Sequence, residues 1–205
     1  MVSQRNRIIN IIKYIESLGI SLNIGKNKAR GNKGFFKVKG NKYRIDIANN
    51  IQEDELFLLL VHEFAHYLHY KYDKSLKSLS FLLGEKESEL QEEMISLTVK
   101  QISKKSISPL FKAQDELKRD ILKTSGITLE LKKKALKRIN SKISRLNRYY
   151  NQPTELFARA MEVYFTSNRC CRELAPNFAE IMDKRIVDKN IPMLSEFAER
   201  CCNVI

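Results

Sequence analysis

The stretch His62-Glu63-Phe64-Ala65-His66 decides how this chain folds. All three histidines of the 205 residues, His62, His66 and His69, fall in this neighbourhood. An α-helix turns about 100° per residue, so positions four apart share a face about 6 Å apart along the axis. Two imidazoles placed so can converge on one metal ion at roughly 2.0–2.1 Å each. Glu63 is offset by about 100° from His62. It is therefore not placed to ligate the same ion, but it can reach a water molecule held there and take its proton.

The flanks support a buried helix. Leu58-Leu59-Leu60-Val61 precedes the motif, and Phe64, Ala65, Tyr67 and Leu68 are uncharged. Glu53, Asp54 and Glu55 stand where a first turn favours negative charge. The spacing predicts a helix from about Gln52 to Tyr72. A buried His-Glu-His set needs a partner to offset its desolvation. His69 shares the face of His62 but lies about 10.5 Å along the axis, too far for one ion. It reads as a half-buried or supporting histidine, and the third ligand is expected to be a carboxylate from elsewhere.

Before this helix, Gln4 to Leu18 has helical apolar spacing (Ile8, Ile11, Ile12, Ile15, Leu18) and ends at Gly19. Ile20–Ile24, Phe35–Val38 and Tyr43–Ile47 read as strands, the last two joined by a hairpin at Gly40-Asn41. Gly25 to Gly34 reads as a loop. After it come a short helix or loop (Lys74–Leu83), a helix from Glu85 to Ser103, and a helical stretch from Pro109 to Lys123 broken at Gly126. A long basic helix follows from Leu129 to Tyr150. Its apolar positions Leu129, Leu136, Ile139, Ile143, Leu146 and Tyr150 form a packing seam for an antiparallel helical hairpin. The predicted class is α+β and mostly helical: one domain over 1–205, with a small N-terminal sheet, the motif helix, a C-terminal helical part and a basic helical insertion at about 105–148.

Net charge is +13. The segment Lys112–Arg148 holds twelve Lys or Arg against four acids, and so supplies eight of these charges. An acidic partner or nucleic acid bound through the basic helix 128–148 is thereby permitted. No stretch approaches the ~18–20 apolar residues of a membrane span. The N-terminal Ile8-Ile9-Asn10-Ile11-Ile12 run reads as an amphipathic helix, not a signal peptide. Cys170-Cys171 and Cys201-Cys202 lack the C-x-x-C spacing of a zinc knuckle. They predict reduced thiols in C-terminal helices and a cytoplasmic compartment, with delivery into another cell left open.

A second helix opens at Asn151-Gln152-Pro153-Thr154, with Thr154 expected as its cap, and continues Glu155-Leu156-Phe157-Ala158-Arg159-Ala160-Met161-Glu162. Glu155, Arg159 and Glu162 form one polar stripe. Taken alone, Glu155 is explained by the helix dipole as well as by ligation.

These two segments, with Leu174-Ala175-Pro176-Asn177-Phe178 after them, resemble gluzincin-type zinc metallopeptidases (zincins). They are most similar to the catalytic domains of the anthrax lethal factor and Pro-Pro endopeptidase group, and to zincin domains of phage and mobile-element proteins. In that group a tyrosine precedes the second helix and an alanine–proline pair follows it. The resemblance covers roughly residues 35–72 and 149–182. It implies a zincin-like fold, one Zn²⁺ held by His62, His66 and Glu155, Glu63 as general base, and Tyr149 or Tyr150 as the group that stabilises an oxyanion. Arg159 departs from the family, which often has an acid there; Glu162, one turn on, is then the residue able to orient a histidine. A similarity to repressor-cleaving and antirestriction zincins implies Glu92 or Glu93 as a rival third ligand.

The implied function is a zinc-dependent endopeptidase acting on a protein or peptide laid along an edge strand. The alternative is a zincin-fold regulatory or nucleic-acid-binding module without proteolysis.

Overall fold

The computed structural model describes residues 4–25, 33–102 and 108–202. The greater part of the predicted loop 25–34, the Ser103 helix end and the first residues of the expected insertion lie outside that range. Helices dominate, with one three-stranded sheet.

Helix α1 (Gln4–Ser17) buries Ile8, Ile11, Tyr14 and Ile15. β1 (Ile20–Ile24), β2 (Gly34–Lys39) and β3 (Lys42–Ile47) follow. The β2–β3 turn needs a left-handed residue, and Gly40 supplies it at φ 59°. The sheet order is β1-β3-β2, with β1 parallel and β2 antiparallel to β3. β2 is thus an edge strand. The Ala48 N–H donates to the Lys33 carbonyl across the 33–48 pair. Bonded and unbonded pairs alternate in an antiparallel ladder. Gly34, Phe36 and Val38 therefore turn their backbone N–H and C=O groups away from β3, toward the open edge.

Helix α2 (Glu53–Tyr72) carries the motif. It packs on β2 on one side, on α1 on another, and most extensively on α7 (Pro153–Thr166). Phe64 stacks on Phe197 of α10 (Pro192–Cys202), with centroids 4.0 Å apart and planes 9° apart, and Tyr14 tilts against both rings. The aliphatic and aromatic residues of α1, α2, α7 and α10 form one core.

Between α2 and α7 lie α3 (Ser80–Leu83), a 3-10 turn at Gly84–Lys86, α4 (Glu87–Ile102), α5 (Ser108–Ile121) and α6 (Gly126–Tyr150). Gly126 opens α6, where the sequence reading had it break the preceding helix. Its positive φ of 66° lets the chain turn before the helix winds. Gln114 bonds Asn140 and Lys132 bonds Asp120, so α5 and α6 run antiparallel. α5 buries no side chain and α6 buries only Ile143, so among the described residues this hairpin stands away from the core. α8 (Asn168–Leu174) and α9 (Pro176–Val187) close the C-terminal part.

Cys170 and Cys171 lie on α8 and Cys201 on α10. Burial, with the adjacent Cys170, pushes the Cys171 thiol up to about 12, which makes it inert. No described helix is long and apolar enough to cross a membrane.

Candidate metal centre

Helices α2 and α7 face each other across the site. His62 and His66 come from successive turns of α2, and Glu155 from the first turn of α7. Gln152 precedes that helix in extended backbone and Pro153 starts it. Thr154 is not the cap: it sits inside the first turn, where its neighbour Glu155 can point along the dipole.

One ligand atom from each of His62, His66 and Glu155 lies within 4.8 Å of the others. The two Nε2 atoms are 3.0 Å apart. Glu155 Oε1 is 3.2 Å from His66 Nε2, and its Oε2 is 3.7 Å from His62 Nε2. This buried His/His/Glu group can hold a metal ion. Three features fit one. The donors are two imidazoles and a carboxylate, a set zinc accepts. Glu155 is only 3% exposed. Its buried Oε2 has no hydrogen-bond partner among the described residues, and such an orphan costs free energy unless something satisfies it.

The surroundings prepare the ligands. His62 Nδ1 lies 2.5 Å from Glu162 Oε1, and Arg159 Nη1 donates to both Glu162 oxygens at 2.9 and 3.3 Å. Burial, then the charges of His66 and Arg159, hold His62 well below its ordinary pKa, so the ring is neutral. A neutral ring that donates its Nδ1 proton to Glu162 leaves the Nε2 lone pair facing the cluster. At Glu155, burial disfavours the charge, but His66, His62 and the Tyr149 hydroxyl outweigh it and hold the pKa at about 2. Glu155 is thus an anion able to ligate a metal ion.

Glu63 lies on the side of α2 toward the sheet. The residue is 4% exposed, and its carboxylate accepts the Phe36 N–H at the open edge of β2. A Cβ built on Gly34 would stand 2.5 Å from Glu63 Oε1. Glycine is therefore what lets the strand approach the carboxylate. Burial raises Glu63 to about 7, with the charge of His66 opposing and that of Glu155 assisting. A group with that pKa can both accept and return a proton near neutral pH.

The Tyr149 hydroxyl donates to Glu155 Oε1 at 2.5 Å. Burial and the Glu155 charge raise its pKa, so it stays a protonated donor. Tyr150 instead turns its ring beneath Arg159, 6.0 Å from Cζ to centroid. His69 is fully buried rather than half-buried, and its Nε2 meets the Ser78 carbonyl at 2.8 Å. It takes no part in the metal group.

Neither rival glutamate enters the cluster. Glu92 is exposed on α4. Glu93 accepts the Asn177 side-chain amide at 2.7 Å and the Phe178 N–H at 2.9 Å, capping the start of α9. The close approach of Gly34 to Glu63 was missing from the sequence reading, which placed Gly34 in a loop. The one available signal was a glycine directly before the alternating Phe35–Val38 strand. A comparison with protein-family models gives no match, and no curated protein or solved structure matches the chain either.

Proposed function

We propose that this protein is a zinc-dependent endopeptidase of zincin type, with His62, His66 and Glu155 holding the ion. The observation that carries the proposal is Glu63. A site that only binds a metal has no use for a buried carboxylate next to a metal-ligating histidine, held against a glycine of the open strand edge. Zinc, when bound, supplies a Lewis acid that polarises a carbonyl oxygen and acidifies water.

The chain's own residues supply the rest. The outward groups of β2 other than the Phe36 N–H, which Glu63 takes, offer an extended peptide a pairing edge. Glu63 removes a proton from the attacking water and returns it to the leaving amine. The Tyr149 hydroxyl is a neutral donor beside the cluster, bonded to Glu155; in this reading it releases Glu155 to stabilise negative charge on the carbonyl oxygen. Arg159 neutralises Glu162, and Glu162 orients His62.

The test is zinc content of the purified protein, followed by cleavage of a peptide library. One zinc per chain and turnover lost in Glu63→Gln support the reading. Zinc binding without turnover by the wild type on any library would leave a metal-binding module in its place. No zinc after reconstitution would overturn the metal site as well.

A further inference from the structure

We propose that the outer face of α6 is a docking surface for duplex DNA, independent of the metal centre. From Leu131 to Thr154 the sequence holds no carboxylate at all. Lys134, Lys137, Arg138, Lys142, Arg145 and Arg148 are all exposed on α6. Among the described residues none of the six makes an ion pair. Three of the hairpin's four acids are used elsewhere, Asp115 by Lys118, Asp120 by Lys132 and Glu130 by Lys133; the fourth, Glu116, lies on α5 and not on this face.

At about 100° and 1.5 Å per residue, the six cations cover an arc of about 140° over about 21 Å. The apolar seam of α6 is turned away from this arc: Ile143, its buried residue, lies on the opposite side. Unpaired charges crowded on one face repel one another. A polyanion relieves that repulsion.

The shape of the face selects the polyanion. A helix with side chains is about 10–12 Å across, and the major groove of B-DNA is about 12 Å wide with a phosphate strand on each side. An arc of cations, rather than a single line, matches charge arriving from two sides. Ser141 lies within the arc and adds a hydrogen-bonding group. The major groove of A-form RNA is too narrow for a helix. Single strands are bound with interleaved aromatic side chains, and none occurs between Lys134 and Arg148. A lipid surface requires an apolar face beside the cations; the exposed Ile127 and Leu131 stand only in the first turns of α6, and from Lys134 to Arg148 the arc itself carries no apolar side chain, so anionic vesicles are the control that separates the two.

The test is fluorescence anisotropy with the full chain and a labelled 20-base-pair duplex across a salt series. With about five phosphates neutralised, the logarithm of affinity falls with the logarithm of salt at a slope of about −4 to −5. The quadruple variant Lys137→Gln/Arg138→Gln/Lys142→Gln/Arg145→Gln is expected to lose at least about a hundred-fold in affinity and most of that slope. A matched variant with four exposed lysines changed elsewhere, Lys71→Gln/Lys74→Gln/Lys77→Gln/Lys86→Gln, is expected to keep both. Circular dichroism and melting checks that each variant is folded. The proposal is overturned if wild type fails to bind the duplex at low salt, or if the two variants bind alike. It also falls if polyglutamate, single-stranded RNA or anionic vesicles bind α6 more tightly than the duplex does.

Discussion

Glu162 Oε1 stands 2.5 Å from His62 Nδ1, across the interface between α7 and α2. This contact sets which nitrogen of His62 faces the ligand cluster. Glu162 is itself held by Arg159, whose guanidinium offsets part of the cost of burying the carboxylate. Glu162→Gln keeps the shape but lets an amide N–H face Nδ1, which favours the tautomer with a proton on Nε2. Zinc affinity is expected to fall about 10–100-fold, the range for loss of a group that orients a ligand. Competition with a chromophoric chelator measures it; an unchanged affinity would remove Glu162 from the site's support.

Gly34 and Glu63 give a prediction that separates metal binding from turnover. Gly34→Ala places a methyl where the Glu63 carboxylate lies, at 2.5 Å from Oε1. The carboxylate is the far end of a flexible chain, so it moves and the fold survives. Peptidase kcat is expected to drop by two or more orders of magnitude, the scale of losing a general base. Zinc stoichiometry stays the same, because His62, His66 and Glu155 are untouched. A variant with wild-type kcat would mean that the placement of Glu63 is not what limits the chemistry.

Glu93 tests the rival ligand assignment. Its carboxylate caps α9 through Asn177 and Phe178. Glu93→Ala is expected to cost about 1–2 kcal/mol, as for loss of a helix cap, with zinc content unchanged. Urea unfolding and metal analysis on one preparation read both quantities. Zinc loss in Glu93→Ala with retention in Glu155→Ala would reverse the assignment.

The two helices that bring His62, His66 and Glu155 together were legible because each carries its own pattern. His62 and His66 share a face at four-residue spacing, and Glu155 opens an otherwise apolar helix. The β2–β3 hairpin was legible from Gly40-Asn41. Other features depend on contacts remote in sequence. Glu93 and Phe178 meet across 85 positions, and no local pattern signals that. Tyr149 and Tyr150 are adjacent, so only the rotational phase of α6 against α7 decides which hydroxyl reaches Glu155. β1 pairs with β3 and not with its neighbour β2, because the hairpin presents β3 to it. Thr154 failed as a cap because Pro153 already starts the helix and Gln152 takes the boundary position.

Phe197 gives the last prediction, on the face of α2 that turns away from His62 and His66. Phe64 is next in sequence to Glu63, yet it points into the core and stacks on Phe197 at 4.0 Å. Phe165 meets the same ring edge-on at 5.5 Å and Tyr14 tilts against it at 6.3 Å. α10 therefore holds α1, α2 and α7 in register through one fully buried ring. Phe197→Ala removes the ring from a site enclosed on several sides, where collapse cannot fill the cavity. The expected loss is about 3–5 kcal/mol, read as a lower urea midpoint with an unchanged slope. The folded fraction should still bind one zinc, because none of the ligands touches Phe197. A loss below about 1 kcal/mol would mean that the neighbouring helices close over the gap, and that α10 is not the clamp on the back of the motif helix.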